Sequence, residues 1–234
     1  MLYEGKAKQI YATDDQTVVR IQYKDEATAF NGEKKEQLAG KGEMNNCITS
    51  ILFEYLHEKG IQTHFIRRIS ATEQLVKRLK MIPLEVVVRN QVAGSLVKRL
   101  GLAEGTKLNQ PIIEYYLKDD RLGDPLINHD HIATLRIIDP NTLADIRELA
   151  LNVNEYLHKL FWDKGMVLVD FKLEYGIDEM GDVMLGDEIS PDTCRLWDRE
   201  TGDKLDKDRF RRDLGDVVKS YQIVWKRLGG TQHV

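Results

Sequence analysis

Hydrophobic and polar positions alternate in short runs over the first third of the chain. "KQIYAT" at 8–13 and "TVVRIQY" at 17–23, with Asp14 and Asp15 as turn residues between them, predict two antiparallel strands, and "THFIRRI" at 63–69 predicts another. A second rhythm lies between them. Met44, Cys47, Ile48, Ile51, Leu52, Tyr55 and Leu56 recur at helical spacing and stop at Gly60, the pattern of an amphipathic helix ended by glycine. "SATE" at 70–73 has the form of a capping box and predicts a short helix. "PLEVVVRN" at 83–90 predicts a strand bounded by proline.

Past Gly101, the stretch "LAEGTKLNQPIIEYYLKDDRLGDPLIN" mixes glycine, proline and acids and predicts strands or loops with a long functional excursion, so a soft boundary falls near 90–110. Leu143, Ile146, Leu149, Val153, Leu157 and Leu160 form one stripe of a long packed helix from Thr142 to Lys164. Residues 166–188 predict a β-hairpin around the turn-rich "YGIDEMGD", and a last helix is expected from about Asp208 to Leu228.

Within that hairpin, "LVDFKLEYG" at 168–176 interrupts an apolar strand with Asp170, Lys172 and Glu174. Alternate side chains of a strand share a face, so these three charges form a row opposite Val169, Phe171, Leu173 and Tyr175. Such a row serves either as the solvated face of an edge strand or as the wall of a site.

Composition narrows the choice of partner. The 234 residues allow one large domain or two small ones, and 42% hydrophobic content supplies a sizeable core. A net charge of −4 gives no basic excess, which argues against sequence-independent binding to nucleic acid or anionic membrane. No apolar run approaches the roughly 18 residues that span a bilayer. Cys47 and Cys194 have neither metal-like nor redox spacing, and no cationic segment followed by an apolar run opens the chain, so a reducing cytoplasm is expected.

Three groups of residues carry candidate chemistry. Glu174 and Asp187 converge if the hairpin forms, and a hard divalent cation such as Mg2+ takes one or two carboxylates while spending its other positions on water and phosphate; an exposed cross-strand acid pair is the alternative. Gly5, with Lys6 and Lys8 beside it, can bring backbone N–H groups and positive charge to phosphate, although an ordinary turn has the same letters. Arg89, Ser95, Arg195 and Arg211 suit phosphate or carboxylate recognition, and surface salt bridges would use the same arginines. "NHDHI" at 128–132 lacks further metal ligands and is expected to be a polar loop. Walker, dinucleotide-fold, serine-hydrolase and protein-kinase motifs are missing from the sequence.

"LYEGKAKQIY", "ATAFNGEKK", "PLEVVVRNQVAGS", "LVDFKLEYG" and "GDEISPDTCRLWD" closely resemble, in order and spacing, the SAICAR synthetases of de novo purine synthesis. The resemblance covers essentially the whole chain. It implies an α+β, two-lobed, ATP-grasp-related fold, with a β-rich N-terminal lobe (1–83), a larger α+β C-terminal lobe (84–234), a boundary somewhere within 80–110, and ATP in the cleft between them. The implied activity is ATP-dependent ligation of L-aspartate to the carboxylate of carboxyaminoimidazole ribonucleotide (CAIR), by way of an acyl phosphate, giving SAICAR, ADP and phosphate. A small-molecule phosphotransferase and a nucleotide-binding module without catalysis are the competing readings.

Carried over by position, the resemblance implies that Lys6, Ala7 and Lys8 cradle the ATP phosphates, with Lys118 as a further candidate. It places Met81 against adenine and Glu85 near the ribose. Glu174 and Asp187 would hold Mg2+. Arg89, Ser95, Arg195 and Arg211 would hold CAIR, Asp170 and Lys172 would face its reacting end as catalytic groups, and Asn31 would lie in a substrate segment where Thr28 replaces the family's usual serine. A homodimer is implied as well; neither nucleic acid nor membrane is.

Overall fold

The computed structural model describes residues 1–29 and 32–230. Its first layer is a five-stranded antiparallel sheet built from β1 (Tyr3–Glu4), β2 (Lys8–Ala12), β3 (Val18–Tyr23), β6 (Phe65–Arg68) and β7 (Glu73–Lys77), in the order β1-β2-β3-β7-β6. Val19, Ile21, Tyr23 and Val76 alternate inward with partly buried Ile10 and give this sheet its own small core. Between β3 and β6 come a short hairpin, β4 (Glu26–Ala29) with β5 (Lys34–Gln37), and helix α1 (Lys41–Glu58).

The chain enters the second sheet directly after β7. β8 (Lys80–Gln91), β9 (Lys107–Leu117), β10 (Leu126–Ile127), β11 (Met166–Ile177) and β12 (Val183–Leu185) pair in the order β10-β9-β8-β11-β12, and β13 (Cys194–Asp198) also pairs with β11. One edge of β11 is therefore covered by β8, the other by β13 over its first half and by β12 at its end. The edge-strand reading of "LVDFKLEYG" is wrong because β11 is interior, with Asp170 and Glu174 each only 3% exposed.

Helix α4 (Pro140–Asp163) packs on β11 and β8 through Leu143, Ile146, Ala150, Val153, Leu157 and Phe161; of the predicted stripe, Leu149 and Leu160 are only partly buried at its margin, and Ala150 and Phe161 take the buried places. Its start is fixed by Pro140 at the first helical position and by the Asp139 carboxylate, which accepts from the Asn141 and Thr142 amides. Helix α1 packs against β6 and against α6 (Val217–Arg227), completing the main core. Three short helices, α2 (Ser95–Leu100), α3 (His129–Thr134) and α5 (Asp208–Arg211), lie at loop ends.

Three local expectations are corrected. "SATE" opens strand β7 rather than a helix: Glu73 onward pairs with β3 and β6, and the Asn46 amide binds the Ser70, Ala71 and Glu73 carbonyls. "NHDHI" is not a loop, because Asn128 and His131 form a reciprocal capping box that starts α3. The last helix is two, broken at Asp213, Gly215 and Asp216, which all have positive φ, while the Arg209 guanidinium binds the Leu214 and Gly215 carbonyls across the break.

Candidate active site

The charged row of β11 lies where the two sheets meet. The join is made by Thr63, which bridges to Leu185, and by the His64 amide, which donates to the Leu185 carbonyl at 2.8 Å. Around it, residues from both sheets converge. The Lys172 ammonium donates to Glu174 at 2.5 Å and to Glu85 at 3.2 Å and lies 3.7 Å from Asp187. Lys8, arriving from β2, binds Asp187 and lies 3.1 Å from Glu188; Lys118 binds Glu174. Three ammonium groups and four carboxylates thus alternate in one partly covered cluster.

Desolvation and pairing oppose each other here, and pairing prevails. Burial alone would push the Lys8 and Lys172 ammonium groups down, but the carboxylates of Asp187 and Glu188, and of Glu174, Asp187 and Glu85, hold them above the ordinary lysine value. Burial would likewise raise the Asp187 carboxyl, yet Lys8 and Lys172 hold it well below the usual range. His64 is the exception: burial, aided by Lys8, lowers its imidazole to about 4, so it is neutral at physiological pH. Lys8, Lys172 and Asp187 are thus held charged and already oriented, which suits stabilisation of an anionic phosphoryl group.

The oxygen-only donor set of Glu174 and Asp187 fits a hard divalent cation, and both carboxylates already face one cation, Lys172. Among the described residues no three candidate ligands form a ready-made metal cage. A magnesium ion on two carboxylates completes its shell with phosphate and water.

Two residues along the same face, roughly 7 Å away at strand spacing, Asp170 begins a second cluster. Its carboxylate accepts from Arg89 Nη1 at 2.6 Å and Arg195 Nη1 at 2.9 Å. Arg89 also donates to Glu114 at 2.7 Å, to Tyr116 at 3.2 Å and to Ser95 at 3.3 Å. Arg195 and Arg211 share Asp208, at 2.9 and 2.6 Å. Gly94 is obligatory in this packing: its φ is +54°, and a Cβ there would sit 2.6 Å from Arg195 Nη2. Asp170 faces arginines rather than open space, and its carboxylate is shared between the Arg89 and Arg195 guanidinium groups.

Met81 is exposed beside Gly176 and Gly186; a Cβ on either glycine would come within 3.1 or 3.3 Å of the Met81 side chain. The bare glycines and the thioether form an apolar ledge beside the lysine cluster. Lys6 stands apart from that cluster, exposed and 2.9 Å from Asp120. Ala7 lies in the β1–β2 turn, where its carbonyl accepts from the Lys24 amide. Asn31 lies outside the described residues.

Sequence reasoning passed over several contributors. Glu188 stands next to Asp187 and was legible as a second acid, but only the fold turns it onto Lys8. Glu114 and Asp208, which hold the arginines, reach them through strand pairing and a helix start. Tyr23 comes from β3 and His64 from the junction just before β6; the Lys8 ammonium lies 5.6 Å from the centre of the Tyr23 ring, whose hydroxyl accepts from Gln74.

With this geometry in place, comparison with known proteins is informative. The SAICAR synthetase family model matches residues 1–228. The phosphoribosylaminoimidazole-succinocarboxamide synthase of Bacillus subtilis (strain 168) is 58% identical over 234 residues, covering all of this chain and 97% of that protein. Its namesake from Anoxybacillus flavithermus is 59% identical over 230 residues, covering 98% of this chain and 96% of that protein. Among solved structures, the synthase of Ehrlichia chaffeensis superposes with a TM-score of 0.97 at 47% identity, and a SAICAR synthetase in complex with ADP with a TM-score of 0.96 at 49% identity, each covering 99% of both chains.

Proposed function

This chain belongs to the SAICAR synthetase family, and from that premise we propose how its cleft performs the family's ATP-dependent ligation in purine biosynthesis. The reaction joins L-aspartate to the carboxylate of CAIR. A carboxylate is a poor acyl donor because its leaving group is oxide. We assign the first step to attack of a CAIR carboxylate oxygen on the γ-phosphorus of ATP, which forms the acyl-phosphate bond and expels ADP. The aspartate amine then attacks the acyl carbon, the C–O bond to phosphate breaks, and phosphate leaves as the amine gives up its proton.

The observation that carries this assignment is the adjacency of the two clusters on one strand face. Lys8, Lys118 and Lys172 supply positive charge to the ATP phosphates, and Lys6 and Ala7, in the turn that leads into Lys8, are assigned to the same phosphates on family resemblance. The ledge of Met81 suits adenine, with Glu85 toward the ribose; a relative of the same fold is known in complex with ADP. Glu174 and Asp187 would hold Mg2+, which when bound neutralises charge on the transferring phosphoryl group. Arg89, Ser95, Arg195 and Arg211 receive the CAIR phosphate, and Asp170 fixes two of those guanidinium groups. Lys172 faces the carboxylate under activation, where negative charge develops. Asn31 is kept as a substrate contact on family resemblance. A homodimer in a cytoplasmic setting completes the proposal.

The test mixes protein, Mg-ATP and CAIR with and without L-aspartate and follows ADP. Sustained ADP formation is expected only with aspartate. Equal steady rates in both mixtures would show a phosphotransferase instead.

A further inference from the structure

Asp187 adopts φ +55°, a left-handed conformation that carries a steric cost for any residue with a Cβ. The corner has a visible consequence. In an extended strand, neighbouring side chains point to opposite faces, yet Asp187 and Glu188 both reach the Lys8 ammonium. Several bonds surround that corner: Lys8 binds the Asp187 carboxylate, the Gly186 amide donates to the Glu174 carbonyl at 2.9 Å, the Leu185 amide to the Gln62 carbonyl at 3.2 Å, Thr193 Oγ1 to the Glu188 carbonyl at 3.4 Å, and His64 Nε2 lies 3.1 Å from the Asp187 carbonyl itself.

Among the described residues, the His64 contact is the only hydrogen bond to the Asp187 backbone. A carbonyl can only accept, so Nε2 carries the hydrogen. The ring is buried, and Phe53 packs edge-on against it at 5.6 Å. Its backbone is pinned by bonds to Leu185 and Lys77. A rigid donor at the junction just before β6 is thus aimed at the backbone of the corner that follows β12.

We propose that His64 is a positioning residue of the ATP site: by donating its Nε2–H to the Asp187 carbonyl it holds the left-handed corner that turns the Asp187 carboxylate toward Glu174. The inference rests on the assignment of Asp187 as a metal ligand. His64 itself touches neither substrate nor metal and acts through the corner alone.

The experiment measures Mn2+ binding to the full chain by electron paramagnetic resonance with ADP present, and ADP affinity without metal by calorimetry. His64→Leu removes the donor, His64→Gln carries an amide nitrogen near the Nε2 position, and His64→Asn carries one nearer Nδ1. H64L and H64N are expected to weaken Mn2+ binding by about 10-fold or more, the size seen when groups supporting a metal ligand are lost. H64Q should stay close to the native protein, and metal-free ADP affinity should be the same in all. If H64L does not fold, the H64Q and H64N pair decides. Native Mn2+ binding in H64N, equal weakening in H64Q and H64N, or a parallel fall in metal-free ADP affinity would overturn the proposal. Asp187→Asn separates the two levels. Unchanged Mn2+ binding in D187N removes the metal assignment and the inference with it, whereas loss in D187N with native binding in H64N removes the inference alone.

Discussion

At the scale of single residues, the site consists of carboxylates that would repel one another without the lysines between them. Glu174→Gln and Asp187→Asn each remove one charge from this alternation while keeping side-chain shape. Steady-state kinetics should show kcat reduced by about 100-fold or more, while circular dichroism melts remain cooperative. Full activity in either variant would remove that residue from the metal site. Stability should also depend on pH in a definite direction. The His64 imidazole is lowered to about 4 from an ordinary value of 6.5, so between those values the unfolded chain binds more protons and stability falls as pH drops. The full loss from this group is about 3 kcal/mol. Burial opposes it, but Lys8 and Lys172 hold the Asp187 carboxyl, and Lys207 and Lys41 hold that of Asp192, 2.5 Å from the Lys41 ammonium, below an ordinary 3.8, so their contribution is present above that pH and lost below it. Burial raises the Asp206 carboxyl to about 7, so its contribution grows as pH falls toward 3.8 and opposes that of His64. In thermal melts from pH 8 to 3 the His64 contribution is therefore read as the difference between native and H64Q proteins, which should be constant above 6.5 and shrink toward pH 4, with both proteins losing stability below 3.8. Residue types at this scale were legible in the sequence. Glu174, Asp187, Lys172 and the arginines stand in a pattern that chemistry explains, whereas the pairing of Asp170 with two arginines was not visible, because Arg89 lies 81 residues away.

At the scale of elements, β11 carries the design. The period-two reading of "LVDFKLEYG" succeeded because a strand has only two faces, and a row of charges on one of them survives any change in surroundings. Readings that depended on local propensity alone failed. The serine and glutamate of "SATE" suit a helix start, but pairing on both sides of β7 outweighs that preference. The break before α6 was hidden because Asp213 and Asp216 can adopt left-handed backbone as glycine does. Two glycines at element contacts separate the subsites. Gly94→Ala puts a Cβ against Arg195 and should raise KM for CAIR by about 10-fold while leaving KM for ATP nearly unchanged. Gly176→Ala puts a Cβ 2.7 Å from the Leu79 Cβ and against Met81, an overpacking worth about 1–3 kcal/mol, and should raise KM for ATP instead. Initial-rate measurements with each substrate varied would expose the split; the same change in both variants would contradict the two-subsite arrangement.

At the scale of the whole molecule, the proposed site is built where two sheets share a corner. The first sheet contributes Lys8 and Tyr23, the junction before β6 contributes His64, and the second sheet with the segments after β12 and β13 contributes the carboxylates and arginines. Lys8 and Asp187 are 179 residues apart in sequence, a separation that no local pattern bridges, so the order of motifs suggested a two-lobed enzyme while their convergence required the fold. The α+β architecture and the family were legible because long signature segments such as "PLEVVVRNQVAGS" keep their spacing over the chain. The central claim is that this shared cleft first activates the CAIR carboxylate with ATP and only then admits the amine. CAIR labelled with 18O in its carboxylate tests it most directly, with the released phosphate analysed by mass spectrometry after turnover with L-aspartate. One 18O atom per phosphate is the predicted result, because the attacking carboxylate oxygen leaves with the phosphoryl group; phosphate free of label would contradict the account.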